Sequence, residues 1–187
     1  MEEVSHLFLS QPSDRPAGKA EDPASSTGQG SSEHVQSTIP FLLYASPAVN
    51  RELLLSLLQR NVAALEEGLR TVDASVPCDP FGFIDLVAVD SKDQLALINL
   101  DTVQNNESLL RGIAHFEWIT RNIAIVRRMY QGRVINFSAQ PRLFLVAPGF
   151  SVLLKCVAQR STSPEVSCYA YRTAAMPGGV GILFERA

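Results

Sequence analysis

The architecture of this chain is set by two neighbouring apolar segments, FGFIDLVAVD at residues 81–90 and LALINLD at residues 95–101. A short polar stretch separates them, so the pattern predicts a β-hairpin. Strand side chains alternate between two faces, and Asn99 and Asp101 therefore point to the same face of the second strand. Asp85 is an acidic residue inside the apolar first strand. Because an unpaired buried carboxylate is unfavourable, we expect Asp85 to face a cleft or to have a partner.

The segments around the hairpin alternate between helical and strand patterns. Apolar residues recur at helical spacing in three segments, at about residues 47–70, 107–130 and 151–159. Apolar runs bounded by turn residues predict three further strands, at residues 142–147, 166–172 and 180–184. A hairpin, a crossover helix and a continuous apolar strand in this order imply a mixed sheet. We therefore predict an α/β fold with a mixed central β-sheet flanked by helices on both faces.

The beginning of the chain differs in composition from the rest. Residues 10–38 consist mainly of Ser, Gly, Pro, Gln and acidic residues, with almost no large apolar side chains. Such a segment cannot bury enough apolar surface to offset its loss of conformational entropy. We predict a disordered tail at residues 1–38 and one folded domain at residues 39–187.

Charge is unevenly distributed along the chain. The formal net charge of −3 excludes a uniformly basic nucleic-acid-binding domain. Residues 102–187 nevertheless carry ten basic and four acidic side chains, whereas residues 40–101 carry four basic and nine acidic ones. Four arginines of the second long helical segment are candidates for phosphate contacts, and the alternative is a solvated helix edge. These are Arg121, Arg127, Arg128 and Arg133.

Cysteine content and hydropathy indicate the cellular compartment of the protein. The three cysteines are an odd number without close spacing, which disfavours a disulfide framework and a zinc site. No run of about 18 apolar residues is present, so we predict no membrane-spanning helix. Both observations favour a cytoplasmic protein that does not interact with a membrane.

Three motifs, taken in order, resemble those of the PD-(D/E)XK, restriction-endonuclease-like superfamily. The first is LEEGL at residues 65–69, the second is GFIDL at residues 82–86, and the third is INLD at residues 98–101. A later helical motif, found in one branch of this superfamily, is similar to HFEW at residues 115–118. The likeness covers about residues 48–173, and it implies a restriction-endonuclease-like domain.

The resemblance also implies a site. In active relatives, acidic side chains hold Mg²⁺ and a lysine orients the attacking water. The corresponding residues here are Glu66, Asp85, Asn99 and Asp101, with Asp85 and Asp101 as candidate metal ligands. Asn99 stands where an acid is expected, and Asp101 stands where the lysine is expected. The resemblance therefore implies a degenerate site, for which no cofactor is expected; an active site would require Mg²⁺.

Three functions follow from these observations. The preferred hypothesis is a catalytically inactive nuclease-fold protein that acts as a nucleic-acid-binding or protein-interaction module. The first alternative is an active Mg²⁺-dependent nuclease with a rearranged site built on Glu66, Asp85 and Asp101. The second alternative is a homo-oligomeric scaffold without nucleic acid. The candidate partners are therefore DNA, another protein and a second copy of the chain in a homodimer.

Structural roles remain open for each candidate residue. Glu66 could be a solvent-facing helix residue, and Asn99 and Asp101 could cap the end of their strand. His115, on a mostly apolar helix, is expected to be a hydrogen-bonded histidine rather than a ligand.

Overall fold

The computed structural model describes residues 44–45, 49–176 and 179–187 of this chain. Within them, seven strands form one mixed sheet. The strands are β1 (Tyr44–Ala45), β2 (Arg70–Pro77), β3 (Phe83–Val89), β4 (Leu95–Leu100), β5 (Arg142–Ala147), β6 (Val166–Met176) and β7 (Gly179–Arg186). The α-helices are α1 (Arg51–Arg60), α2 (Glu107–Arg121), α3 (Ile123–Met129) and α4 (Val152–Arg160). None of these helices is long and apolar enough to span a membrane.

The sheet has the predicted hairpin beside a parallel centre. Strands β3 and β4 pair antiparallel, with Leu86 opposite Ile98. Strands β4, β5 and β6 are mutually parallel, and they are joined by α2 and α3 and then by α4. The order across the sheet is β1-β6-β5-β4-β3-β2, and β7 pairs with β6 as well. The predicted α/β fold with a mixed central sheet is confirmed.

Helices cover both faces of the sheet, as predicted. On one face the buried residues of α2, α3 and α4 pack on alternate residues of the central strands, including Val87, Leu97, Leu143 and Leu145. On the other face α1 packs on the intervening residues, including Leu86, Ile98, Phe144 and Val146. The central strands are buried on both sides, which explains why their sequences read as continuous apolar runs.

The predicted helix over residues 47–70 is wrong in its extent. Residues 47–48 lie outside the described part of the chain, and α1 begins after Asn50, whose side chain accepts a hydrogen bond from the Leu53 N–H. The helix ends at Arg60, a 3-10 turn follows at Val62–Ala64, and the chain then enters β2, which the sequence did not predict. The apolar stripe nevertheless lies in a single core layer: Leu54, Leu58, Val62, Leu65 and Leu69. The periodicity therefore identified the buried residues and not the end of the helix.

The predicted helix over residues 107–130 consists of two helices that meet at Asn122. The Asn122 side-chain amide and backbone N–H both donate to the Trp118 carbonyl oxygen. An asparagine that binds the backbone in this way competes with continuation of the helix.

The tail predicted at residues 1–38 lies outside the described residues, and the domain boundary at residue 39 stays a prediction.

Candidate functional site

Three of the four predicted site residues lie at one end of the sheet. Asp85 is near the start of β3, and Asn99 and Asp101 are at the end of β4. The two strands are antiparallel, so the start of one lies beside the end of the other. The Leu100 N–H donates to Oδ2 of Asp85 at 2.7 Å, which joins the two strands at this point. We call the group around these residues the Asp85 cluster; it comprises Arg51, Asp85, Asn99, Asp101, Arg111 and His115.

Asp85 is buried and paired with an arginine. Its side chain is 5% exposed, and its Oδ1 atom accepts from Nη2 of Arg51 at 2.5 Å. Arg51 is the first residue of α1, so this ion pair connects the helix to the sheet. Burial raises the pKa of Asp85 above its ordinary value, although the Leu100 N–H and the Arg51 guanidinium act in the opposite direction. Both carboxylate oxygens of Asp85 are therefore engaged.

Asp101 has an arginine partner of its own. Nη2 of Arg111, on the first turns of α2, lies 2.7 Å from both carboxylate oxygens of Asp101. The Arg111 side chain is 33% exposed and that of Asp101 is 13% exposed, so the pair borders solvent. The cation next to Asp101 thus comes from α2, ten residues further along the chain.

Asn99 joins β4 to α2 through His115, and both side chains are buried. The His115 Nδ1 atom lies 2.8 Å from the Asn99 amide oxygen, and Nε2 lies 3.1 Å from the Phe81 carbonyl oxygen. Burial lowers the pKa of His115, and a neutral imidazole has a single N–H, so it cannot donate to both oxygens.

Turning the Asn99 amide by half a rotation resolves this conflict. Its NH₂ group, which otherwise lacks a partner among the described residues, then donates to Nδ1 of His115. The Nε2–H of His115 donates to Phe81. We assign this arrangement, in which Asn99 is a structural link rather than a group open to a cation.

Glu66 lies away from the other three residues. The LEEGL motif is not on a helix; it forms the turn between the 3-10 helix and β2, where Gly68 has a φ of +86° that favours glycine. Both Glu66 oxygens bind Arg142, at 2.6 and 2.8 Å, and Arg142 also contacts Asp90 at 3.3 Å. Asp90 is five residues beyond Asp85, roughly 16 Å along a strand. Glu66 therefore belongs to a second group at the opposite end of the sheet.

We call this second group the Arg142 cluster; it comprises Glu66, Asp90, Arg142 and Glu165. The hydrogen bonds and charge of Arg142 hold the pKa of Glu66 below its ordinary value despite partial burial. Burial by itself would raise the pKa of Asp90, but the N–H groups of Gln94 and Lys92 and the Arg142 side chain lower it overall. The cluster ties the turn before β2 to the β3–β4 turn through the start of β5.

The residues at the Asp85 end do not fit a divalent-cation centre. Within residues 49–176 and 179–187, no three His, Cys, Asp or Glu side chains come together in a way that could hold a metal ion. The carboxylate oxygens of Asp85 and Asp101 are engaged by Arg51, Arg111 and a backbone N–H. Lys92 is in the turn next to Asp90, at the other end of the sheet, and cannot replace the missing lysine.

Sequence reasoning missed Arg51 as a site residue. Arg51 and Asp85 are 34 positions apart, and the only local signal at Arg51 is its place after the helix cap Asn50. Arg111 and His115 could be found more easily, because they lie on one side of the helix that follows Asp101.

Comparison with known proteins adds a likeness of fold. The chain matches no model of a known protein family and no curated protein. A crystal structure of a repair endonuclease from Pyrococcus abyssi is 17% identical, with a TM-score of 0.42, covering 66% of this chain and 48% of that one. The EndoMS–dsDNA2 complex is 16% identical, with a TM-score of 0.42, covering 68% and 48%. EndoMS in its apo form is 17% identical, with a TM-score of 0.35, covering 60% and 41%.

The chain thus spans less than half the length of each of these structures. At these scores no residue role is carried over from them to this chain.

Proposed function

We propose that this chain is a nuclease-fold protein that does not hydrolyse phosphodiesters and that binds nucleic acid. The observation that carries the proposal is the pairing of each candidate metal ligand with an arginine: Asp85 with Arg51, and Asp101 with Arg111. The negative charge that would attract a divalent cation is already balanced inside the protein.

An arginine cannot take over the chemistry of a metal ion. A bound divalent cation lowers the pKa of a coordinated water and holds the reacting phosphate. A guanidinium offers N–H donors, but it has no coordination site for water and does not lose its proton in proteins. Replacing the cation by Arg51 and Arg111 therefore preserves the charge balance of the site without supplying a nucleophile.

Nucleic-acid binding is supported by exposed arginines at the end of α2, on α3 and in the turn that follows α3. Arg121, Arg127, Arg128 and Arg133 are all exposed. Arg121 pairs with Glu117, and Arg127 lies over the ring of Phe137 at 5.4 Å. Arg128 and Arg133 have no acidic partner within the described ranges, so their charge is available to phosphates.

The absence of hydrolysis is tested with the full chain on single- and double-stranded DNA, in Mg²⁺ and separately in Mn²⁺. We expect no cleavage with either ion, and no difference between the natural chain and Asp85→Ala. Metal-dependent cleavage that Asp85→Ala abolishes would overturn this part of the proposal in favour of an active nuclease.

Binding is tested by measuring DNA affinity as a function of salt. Each phosphate contact contributes about 0.9 to the slope of log K against log salt for B-DNA. We therefore expect Arg128→Gln combined with Arg133→Gln to reduce the slope by about 2. Arg60→Gln, an exposed arginine at the end of α1, is the matched control. A natural chain without measurable affinity at low salt would refute nucleic-acid binding.

A cytoplasmic location remains part of the proposal.

A further inference from the structure

Helix α4 has an apolar outward face. Its buried residues, Leu154 and Ala158, point into the core. On the opposite side Val152 and Leu153 are 76% and 70% exposed, and Val157 and Cys156 are exposed as well. We call Val152, Leu153, Cys156 and Val157 the α4 stripe. The other exposed residues of the helix, Gln159 and Arg160, are at its C-terminal end.

This pattern differs from that of α1 on the other face of the sheet. The outward face of α1 is mainly polar, as expected for a helix in contact with water: Arg51, Glu52, Gln59 and Arg60 are exposed, and Leu53 is the one large apolar residue exposed beside them. The exposed side of α4 instead begins with four apolar residues, and a contiguous exposed apolar patch marks an interaction surface. The α4 stripe therefore requires a covering surface that the described residues do not supply.

The patch extends to the neighbouring loop and helix. The Ser151 hydroxyl, at the start of α4, donates to the side chain of Asn106, which precedes α2, at 2.7 Å. Val103 and Leu110, three and four residues from Asn106 along the chain, are exposed as well. Together with the α4 stripe they present roughly 300–500 Å² of apolar side-chain area, given about 60–120 Å² for a fully exposed aliphatic side chain. A standard interface contributes about 800 Å² from each partner, of which about 60% is apolar. The patch is large enough for a weak, reversible dimer.

We infer that the α4 stripe is the centre of a homodimer in which two copies of α4 pack antiparallel about a two-fold axis. Leu153, Cys156 and Val157 have the three- and four-residue spacing of a helix–helix seam and carry no charge, so the surface is complementary to itself. Antiparallel packing keeps the two Arg160 side chains at opposite ends, about 13 Å apart for a nine-residue helix, beyond the screening length of about 8 Å.

Cys156 lies opposite the buried Leu154 and Ala158 on the helix, near the middle of the seam. The two-fold axis therefore brings the Cys156 thiols of the two copies close together. The chain has three cysteines, and Cys78 and Cys168 are buried. Cys156 is thus a selective probe of this arrangement.

The test measures the mass of the full chain by sedimentation over a wide concentration range and cross-links it with a short bismaleimide. We expect the mass to rise from 20.4 kDa towards twice that value and the reagent to link two copies through Cys156. Leu153→Asp should raise the dissociation constant at least tenfold, and Cys156→Ser should remove the cross-link but not the dimer. Val134→Asp, at a 72% exposed site after α3, is the control that should change neither.

Three outcomes would overturn the inference: a constant monomer mass, a dimer that Leu153→Asp leaves intact, or a dimer in which Cys156 is not cross-linked. Nucleic acid is absent from the assay, so failure here is distinct from failure of the proposed function.

Discussion

The two charged clusters occupy opposite ends of the same sheet, and they differ in how their arginines are held. In the Arg142 cluster one arginine, 11% exposed, is shared by Glu66, Asp90 and Glu165. In the Asp85 cluster each carboxylate has its own arginine, and those arginines are 53% and 33% exposed. In the first arrangement the arginine is buried and two of its carboxylates, Glu66 and Glu165, are partly exposed. In the second the arginines are partly exposed and the carboxylates are buried or nearly so.

This difference separates a structural role from a site open to exchange. Removing the buried Arg142 leaves Asp90, which is 6% exposed, without a compensating cation. A partly exposed arginine such as Arg51 can turn towards water or towards another anion without itself leaving a buried environment. The same residue types therefore share one buried arginine at one end of the sheet and have two separate, more exposed arginines at the other.

The largest effect is expected from Arg142→Met. This change leaves Glu66 and Asp90 unpaired, and it should lower the free energy of unfolding by about 3–5 kcal/mol. Urea unfolding followed by the fluorescence of Trp118, the single tryptophan, measures it. Arg70→Met, which breaks the exposed pair with Asp93, is the matched control and should cost about 0–1 kcal/mol. Equal losses in both variants would show that the buried Arg142 contributes no more to stability than an exposed ion pair.

A smaller effect is expected from Asp85→Ala. The buried Leu100 N–H then loses its acceptor, and the loss in unfolding free energy should be about 1–3 kcal/mol. Asp85→Asn retains a side-chain oxygen for Leu100 and should cost less. The same urea experiment compares the two variants, and a larger loss in Asp85→Asn would contradict the role given to this hydrogen bond.

Arg51→Gln and Arg111→Gln should each cost about 1 kcal/mol or less, because these arginines are partly exposed. Thermal or urea unfolding at low salt is the appropriate measurement. A loss as large as that of Arg142→Met would show that exposure of the arginine does not decide how much it contributes to stability.

The smallest effect is a change in the pH dependence of stability, and the clusters should differ in its sign. The lowered pKa values of Glu66 and Asp90 stabilise the fold above their ordinary values of 4.5 and 3.8, and this contribution is lost as the pH falls through the lowered values. The raised pKa of Asp85 acts in the opposite way, because protonation in acid relieves the unfavourable burial of its charge.

As the pH is lowered from 7 to 3, the free energy of unfolding should therefore fall less steeply in Arg142→Met than in the natural chain. They should fall more steeply in Asp85→Asn, which lacks the titrating group. Slopes unchanged in both variants would argue against these pKa directions.

Local patterns in the sequence predicted much of the fold. The alternation and apolar content of residues 81–101 indicated the hairpin, and Arg142–Ala147 is a central strand with the predicted bounds. Ser151 caps α4, which begins at the next residue, close to the predicted start at 151. Strand β2 was missed because the apolar stripe of α1 continues through residues that are buried without being helical.

The sequence predicted only part of the candidate site. Alternation placed Asn99 and Asp101 on one face of β4, and both contact α2 through His115 and Arg111. The sequence also grouped Glu66 with them, whereas Glu66 binds Arg142, which is 76 positions away. A motif gives the order of residues along the chain, but it does not show at which end of the sheet each residue lies.

Residue order alone determined which segments are strands and helices at the centre of this protein, because alternation and capping depend on neighbours a few positions apart. The choice of an arginine for each buried carboxylate came from packing, since Arg51 reaches Asp85 only when α1 lies across the sheet. Charge neutralisation depends on distances in space, and the folded arrangement of elements far apart in the chain sets those distances.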